Sequence, residues 1–154
     1  MMTFLHVCLR KMSCSAKVVL LLMVFSLNAC TSRAPDGDSL YKALGERQGI
    51  DNIVHAMIYI IAQDERVKPR FKGVNIAHFK QGFSDYVCVV SGGPCEYKGE
   101  SLAVVHAGHH YTNSEFNAIV EHLILAMEQQ HIAVATQNQL LARLAPAYKD
   151  VVYQ

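Results

Sequence analysis

Two apolar runs with one set of offsets constrain this chain more than anything else in it. Ile50, Ile53, Val54, Met57, Ile58 and Ile61 stand at i, i+3, i+4, i+7, i+8 and i+11, and Phe116, Ile119, Val120, Leu123, Ile124 and Met127 repeat that pattern. Such spacing puts all six side chains of each run on one face of a helix, and that face has to be buried. Thr112-Asn113-Ser114-Glu115 precedes the second run as a capping box, and Thr136-Gln137-Asn138-Gln139 reads as another before Leu140, Leu141 and Leu144. Between the two apolar runs a helix is expected to open near Asn75, turn Ile76, Phe79, Phe83, Tyr86, Val87 and Val90 inward, and stop at Gly92-Gly93-Pro94. No stretch alternates with period two, and there is no internal repeat. The fold class is all-α.

The N-terminal end follows different rules. Up to Cys30 the chain carries Arg10, Lys11 and Lys17 but no acidic residue, and Val18 to Phe25 is an unbroken apolar run. A basic segment, an apolar stretch short for a bilayer and a small residue before a cut describe a secretory signal. Leu27-Asn28-Ala29-Cys30 resembles the lipobox of bacterial lipoproteins, in which the cysteine is diacylated and becomes the new N-terminus. An uncleaved membrane anchor and an ordinary cleaved signal are the other readings, and Met12 is an alternative start. Residues 1–29 are thus expected to be a lipoprotein-type signal peptide, residues 30–38 a polar tether, and residues 39–154 the folded domain. The expected location is the periplasmic face of a membrane, reached through a lipid anchor on Cys30. Thr31, where an Asp would mark retention, points to the outer membrane.

Composition then excludes several classes. The 154 residues are 51% hydrophobic and 18% charged, with a formal net charge of +1, which leaves no electrostatic footprint for nucleic acid and no case for wholesale disorder. Without Arg10, Lys11 and Lys17 the 14 basic residues fall to 11 against 13 acidic ones, a net of −2. Two cysteines stay with the folded part. Cys88 and Cys95 flank Ser91-Gly92-Gly93-Pro94; in an exported domain they either close a small disulfide loop or remain a buried thiol and a loop thiol.

One short segment is built unlike a core helix. Ser101 to Gly108 spans barely two turns, with Leu102, Val105 and His106 on one face and glycines on both flanks. It suits the holding of one side chain, His106. An inward histidine is either a satisfied core residue or a ligand, and a neutral imidazole there is chemically able to serve as axial ligand to an iron porphyrin. His106 and His110 stand at i, i+4, but Ala107 occupies the place where a zinc protease needs glutamate and Gly108 interrupts the pair. The Cys-x-x-Cys-His signature of covalently attached haem is absent, as are a nucleophile elbow, a phosphate loop and a dinucleotide fingerprint. His55, His78, His109, His122 and His131 read as surface or boundary residues.

Leu40-Tyr41-Lys42-Ala43-Leu44-Gly45, Phe71-Lys72-Gly73-Val74-Asn75, Gly92-Gly93-Pro94, Tyr97-Lys98-Gly99 and Val105-His106-Ala107-Gly108 occur in that order from about Ser39 to Val152. Together they resemble a group I truncated (two-on-two) haemoglobin. The resemblance implies a helical sandwich around haem b (iron protoporphyrin IX), with His106 as the proximal ligand of the iron. It also implies that Phe71 packs on the porphyrin at a helix corner, that the helix from Ile76 to Val90 is the distal one, and that the helix opening with Phe116 forms the pocket floor. Leu102 stands beside His106 on the short helix.

The expected distal side departs from that family. The position where many members carry a tyrosine reads Ile58, and Tyr59 is one residue later, about 100° around the helix and so turned away. Phe79 and Phe83 occupy the positions that in the family carry a leucine and a glutamine. Ile58, Phe79 and Phe83 would make a dry cap without a hydrogen-bond donor. Oxygen held at a haem iron carries partial negative charge, so the lost donor implies fast oxygen release and ready oxidation; NO and CO are less affected. Three functions follow: reversible binding of oxygen or another diatomic gas, a haem enzyme (NO dioxygenase or weak peroxidase) served by an unnamed electron donor, or a haem-free interaction module.

Overall fold

The computed structural model describes residues 37–154. The expected signal peptide, Cys30 and all but the last residues of the tether lie outside them. Helix α1, Gly37–Ala43, takes in the final two residues of that tether, so the fold begins two residues earlier than Ser39. Leu40 and Leu44 are fully buried beneath it.

A tight corner joins α1 to α2, Glu46–Ile61. Gly45 holds φ +85°, and a Cβ on Gly49 would stand 2.0 Å from the carbonyl oxygen of Leu44, so only glycine permits the approach. Tyr41 closes the corner as its hydroxyl accepts the Arg47 backbone N–H at 3.0 Å. The expected stripe of α2 is the core: Ile50, Ile53, Val54, Met57 and Ile61 are buried. This helix packs against α3, Ile76–Val90, and against α5, Asn113–Gln129. At roughly 1.5–3 kcal/mol per buried aliphatic side chain, that contact outweighs any single polar contact in the fold.

Helix α3 opens where expected, with the Asn75 side chain accepting the His78 N–H. Its inward face is narrower than the sequence suggests. Val87 and Cys88 are buried, Phe79, Phe83, Tyr86 and Val90 are half-buried, and Ile76 is 41% exposed because the first turn overhangs a cavity. Past α3, Cys88 and Cys95 are bonded as a disulfide with Cα atoms 5.9 Å apart. A link closing so short a loop is worth about 2–3 kcal/mol by loop entropy. Gly93 is required beneath it, since a Cβ there would lie 2.6 Å from the Cys88 Sγ and 2.5 Å from the Tyr41 ring. The Arg47 guanidinium braces the same end of α3, bonding Asp51 of its own helix and Asp85 of α3. Burial raises the Asp85 pKa, but its bonds with Arg47 and Gln81 outweigh that and leave it below the ordinary value.

The remaining α-helices among the described residues are α4, Leu102–His106; α6, Val134–Leu144; and α7, Tyr148–Val151. Among the described residues no strand forms beyond an isolated bridge between Tyr111 and Val152. The Thr112–Glu115 capping box is present on α5 with both reciprocal bonds. The second expected box is not. Helix α6 starts at Val134 with Ala133 at its cap, and Thr136 lies inside its first turn. Gln137 explains the earlier start: it is buried, its side chain donates to the Ile132 carbonyl at 2.8 Å, and its N–H reaches the Ala133 carbonyl.

Candidate functional site

Helix α4 is little more than one turn long. The Ser101 side chain accepts the Val104 N–H at its start, and Ala107 ends it directly after His106. His110 is therefore on a different segment, and the i, i+4 histidine pair does not share a helix face. Val105, expected on the inward face, is 44% exposed, whereas Leu102 and His106 are half-buried. The His106 ring is held by its own helix, with Nδ1 lying 2.7 Å from the carbonyl oxygen of Leu102. A carbonyl only accepts, so Nδ1 carries a proton, and in the neutral ring Nε2 bears the lone pair. Among the described residues no hydrogen bond reaches Nε2. An imidazole fixed this way is prepared to bind a metal through Nε2.

The other candidates fall into groups. Phe71, Phe79 and Phe83 form an aromatic ladder from the corner into α3: Phe71 meets Phe79 edge-on at 5.2 Å, and Phe79 stacks on Phe83 at 5.8 Å. Ile58 and Phe71 line an apolar cavity of about 500 Å³ with Ile61, Ala62, Pro69 and Ile76, while Glu65, Lys68 and Lys72 also stand on its wall. That volume is in the range of cofactor and small-molecule sites, about 300–1,000 Å³. His106 is not among its walls. Lys68 is tied to Glu65 at 2.6 Å, both well exposed. Tyr59 is 69% exposed, turned away from the wall that Ile58 lines. Phe116 packs edge-on against Tyr148 of α7 at 5.1 Å.

The corner and α4 are joined by a residue that no sequence pattern singled out. Arg70, next to Phe71, bonds both carboxylate oxygens of Glu115, donates to the His109 carbonyl at 3.2 Å, and lies over the Tyr111 ring at 5.0 Å. Tyr111 in turn meets the His106 ring at 5.6 Å and 71°. Burial pushes the Tyr111 phenol up, so it stays neutral. Glu115 is the acidic member of the capping box, a role visible in the sequence; its partner 45 residues away was not.

His122 departs from the expectation of a surface or boundary residue: it is 2% exposed, and its Nε2 donates to Asp64 at 2.8 Å. Arg66 bonds the same carboxylate and, with His122 adding to it, holds Asp64 well below the usual range. Asp64 also accepts the Arg66 N–H and so folds the turn that leads into the 3-10 segment Lys68–Phe71. A buried histidine on α5 thereby pins the approach to Phe71.

The comparisons with known proteins agree with this architecture. Residues 39–152 match the family model described as bacterial-like globin. The chain belongs to that family. A group 1 truncated hemoglobin of Tetrahymena pyriformis is 27% identical over 114 residues, 74% of this chain and 94% of that protein. Its namesake in Tetrahymena thermophila is 31% identical over 91 residues, 59% of this chain and 75% of that protein. The crystal structure of the Tetrahymena pyriformis truncated hemoglobin in its Fe(III) form superposes with a TM-score of 0.73, covering 75% of this chain and 98% of that one. The resemblance to group I truncated globins and the all-α fold are both borne out.

The Arg70–Glu115 pair predicts a pH dependence. Hydrogen bonds from Arg70 above all hold the Glu115 pKa down from 4.5 to about 2. A carboxylate with a depressed pKa stabilises the fold fully above its unfolded value and loses that contribution as pH falls. Urea unfolding of the wild-type domain should thus weaken between about pH 4.5 and 2. Glu115→Gln should be less stable at pH 7 and show a flatter fall through that window. An unchanged pH slope would contradict the pairing.

Proposed function

We propose that this globin binds one haem b through His106 and takes up a diatomic gas there. The carrying observation is the half-buried His106 imidazole, whose Nδ1–H is donated to Leu102 at 2.7 Å and whose Nε2 has no hydrogen-bond partner among the described residues. The residues present fit the group in their chemistry. Phe71, Phe79 and Phe83 offer a continuous aromatic surface, and Ile58 lines an apolar cavity beside Phe71. Leu102 and Phe116 complete the set that would hold the macrocycle. Bound haem would supply an iron with one coordination position left for oxygen, NO or CO. His106 would hold that iron, and its hydrogen bond to Leu102 would keep the imidazole oriented and electron-rich. Ile58, Phe79 and Phe83 would help to keep water from the bound gas and would donate no hydrogen bond to it.

His106→Ala should abolish stoichiometric haem binding, whereas His109→Ala and His110→Ala should retain it; haem titration of the purified proteins reads the difference. Equal haem content in the His106 variant would overturn the assignment.

Donor-free surroundings imply weak retention of oxygen. A hydrogen bond to a partly charged ligand is worth about 1.5–3 kcal/mol, or roughly ten- to a hundred-fold in rate. Ile58→Tyr should slow oxygen release by that factor while leaving CO release nearly unchanged, as measured by stopped flow. Slow wild-type release that Tyr59→Phe accelerates would instead make Tyr59 the donor.

We also propose that Cys30 is lipidated, tethering the globin at the periplasmic face of a membrane. The Cys88–Cys95 disulfide supports an oxidising compartment. Two acyl chains suffice for stable anchoring where one does not. Cys30→Ser should abolish the lipid-dependent mass increase and shift the protein out of the membrane fraction. A soluble wild-type protein with an unmodified N-terminus would contradict the anchor.

A further inference from the structure

We propose that Tyr111 and Arg70 are positioning residues that set the rotation of the His106 imidazole about its hydrogen bond to Leu102. The inference rests on the haem reading above and concerns what governs the strength of that bond to iron.

The single hydrogen bond from Nδ1 to Leu102 fixes one corner of the ring but not the plane in which the ring swings. Helix α4 adds little restraint of its own, since none of its five residues is fully buried. The neighbouring surface that limits the swing is the Tyr111 ring, which stands at 71° to the imidazole with centroids 5.6 Å apart. The Tyr111 hydroxyl makes no hydrogen bond among the described residues, so the ring and not the phenol group makes the contact.

Tyr111 is itself held from three sides. Its carbonyl accepts the Tyr153 N–H at 2.9 Å, which fixes the backbone against the C-terminal segment. His109 stacks on its ring at 5.5 Å and 21°. The Arg70 guanidinium carbon lies 5.0 Å from the ring centroid. Arg70 in turn has no freedom to drift, because Glu115 takes two of its nitrogens and the His109 carbonyl takes the third. Glu115 is locked by the backbone N–H and the hydroxyl of Thr112. A planar fork is needed here: lysine would preserve the charge near Glu115 but neither the flat face over Tyr111 nor the bond to His109. The chain of contacts therefore runs from the residue beside Phe71 to the imidazole of His106 without crossing the ligand cavity.

The test is the iron–histidine stretching line in resonance Raman spectra of the ferrous protein at full haem content. Tyr111→Phe keeps the ring and should leave the line at its wild-type position. Tyr111→Leu removes the ring and should shift and broaden the line. Arg70→Ala should shift it in the same direction, and Arg70→Lys should not restore it. A purely structural role would lower the melting temperature of these variants without moving the line. If Tyr111→Leu fails to fold, Arg70→Ala, at a more exposed position, reads the same coupling. A line indifferent to both Tyr111→Leu and Arg70→Ala, or moved as far by Tyr111→Phe as by Tyr111→Leu, would overturn the proposal and leave the haem reading intact. Absence of any iron–histidine line in the wild-type protein would overturn both.

Discussion

A helix of five residues has no apolar face large enough to place itself, and α4 carries His106, the side chain on which the proposed site depends. Everything that positions His106 must therefore come from outside α4 or from a hydrogen bond within it. The bond from Nδ1 to Leu102 sets the tautomer, the Tyr111 ring faces the imidazole, and contacts between α4 and α7 hold the segment against the C-terminus. The long helices do the opposite work. The stripe on α2 is buried between α3 and α5, and that core provides the rigid frame from which the polar contacts reach.

Polar contacts at the corner before Phe71 transmit that rigidity. His122 reaches from α5 to Asp64, Arg66 shares the same carboxylate, and Arg70 crosses to Glu115 at the head of α5. Exposed ion pairs are individually weak, with a typical value below about 1 kcal/mol. Here they converge on one turn, and the buried His122 makes that turn costly to displace: removing Asp64 would strand its Nε2–H away from water, on a ring whose Nδ1 already lacks a partner among the described residues. Precision at the site thus comes from a few directional contacts laid over a conventional apolar core.

The parts of the structure legible in the sequence were those that repeat or sit close together. The i, i+3, i+4 stripe of α2, the Asn75 cap and the Thr112–Glu115 box are local patterns, and each is present; on α5 only Leu123 and Met127 of the expected stripe are buried, alongside Ala118, His122 and Ala126, while Phe116, Ile119, Val120 and Ile124 are half-buried. The Thr136 box failed because a matching spacing does not prevent a helix from starting earlier, and buried Gln137 extended α6 back to Val134. His122 and Arg70 were illegible for another reason. Their partners, Asp64 and Glu115, are 58 and 45 residues away, and no periodicity encodes a contact across that distance. Of the candidate site, the short helix and the aromatic positions could be read from spacing and resemblance, whereas the link between them could not.

The most direct measurement is the absorption spectrum of the purified protein in its ferric, ferrous and CO-bound states. A haem held by a neutral histidine nitrogen predicts one equivalent of haem per chain, a ferrous spectrum that responds to CO, and a CO complex of the histidine-ligated type. A protein that takes up no haem, or whose CO complex absorbs at the longer wavelength of a thiolate ligand, would contradict the assignment of His106.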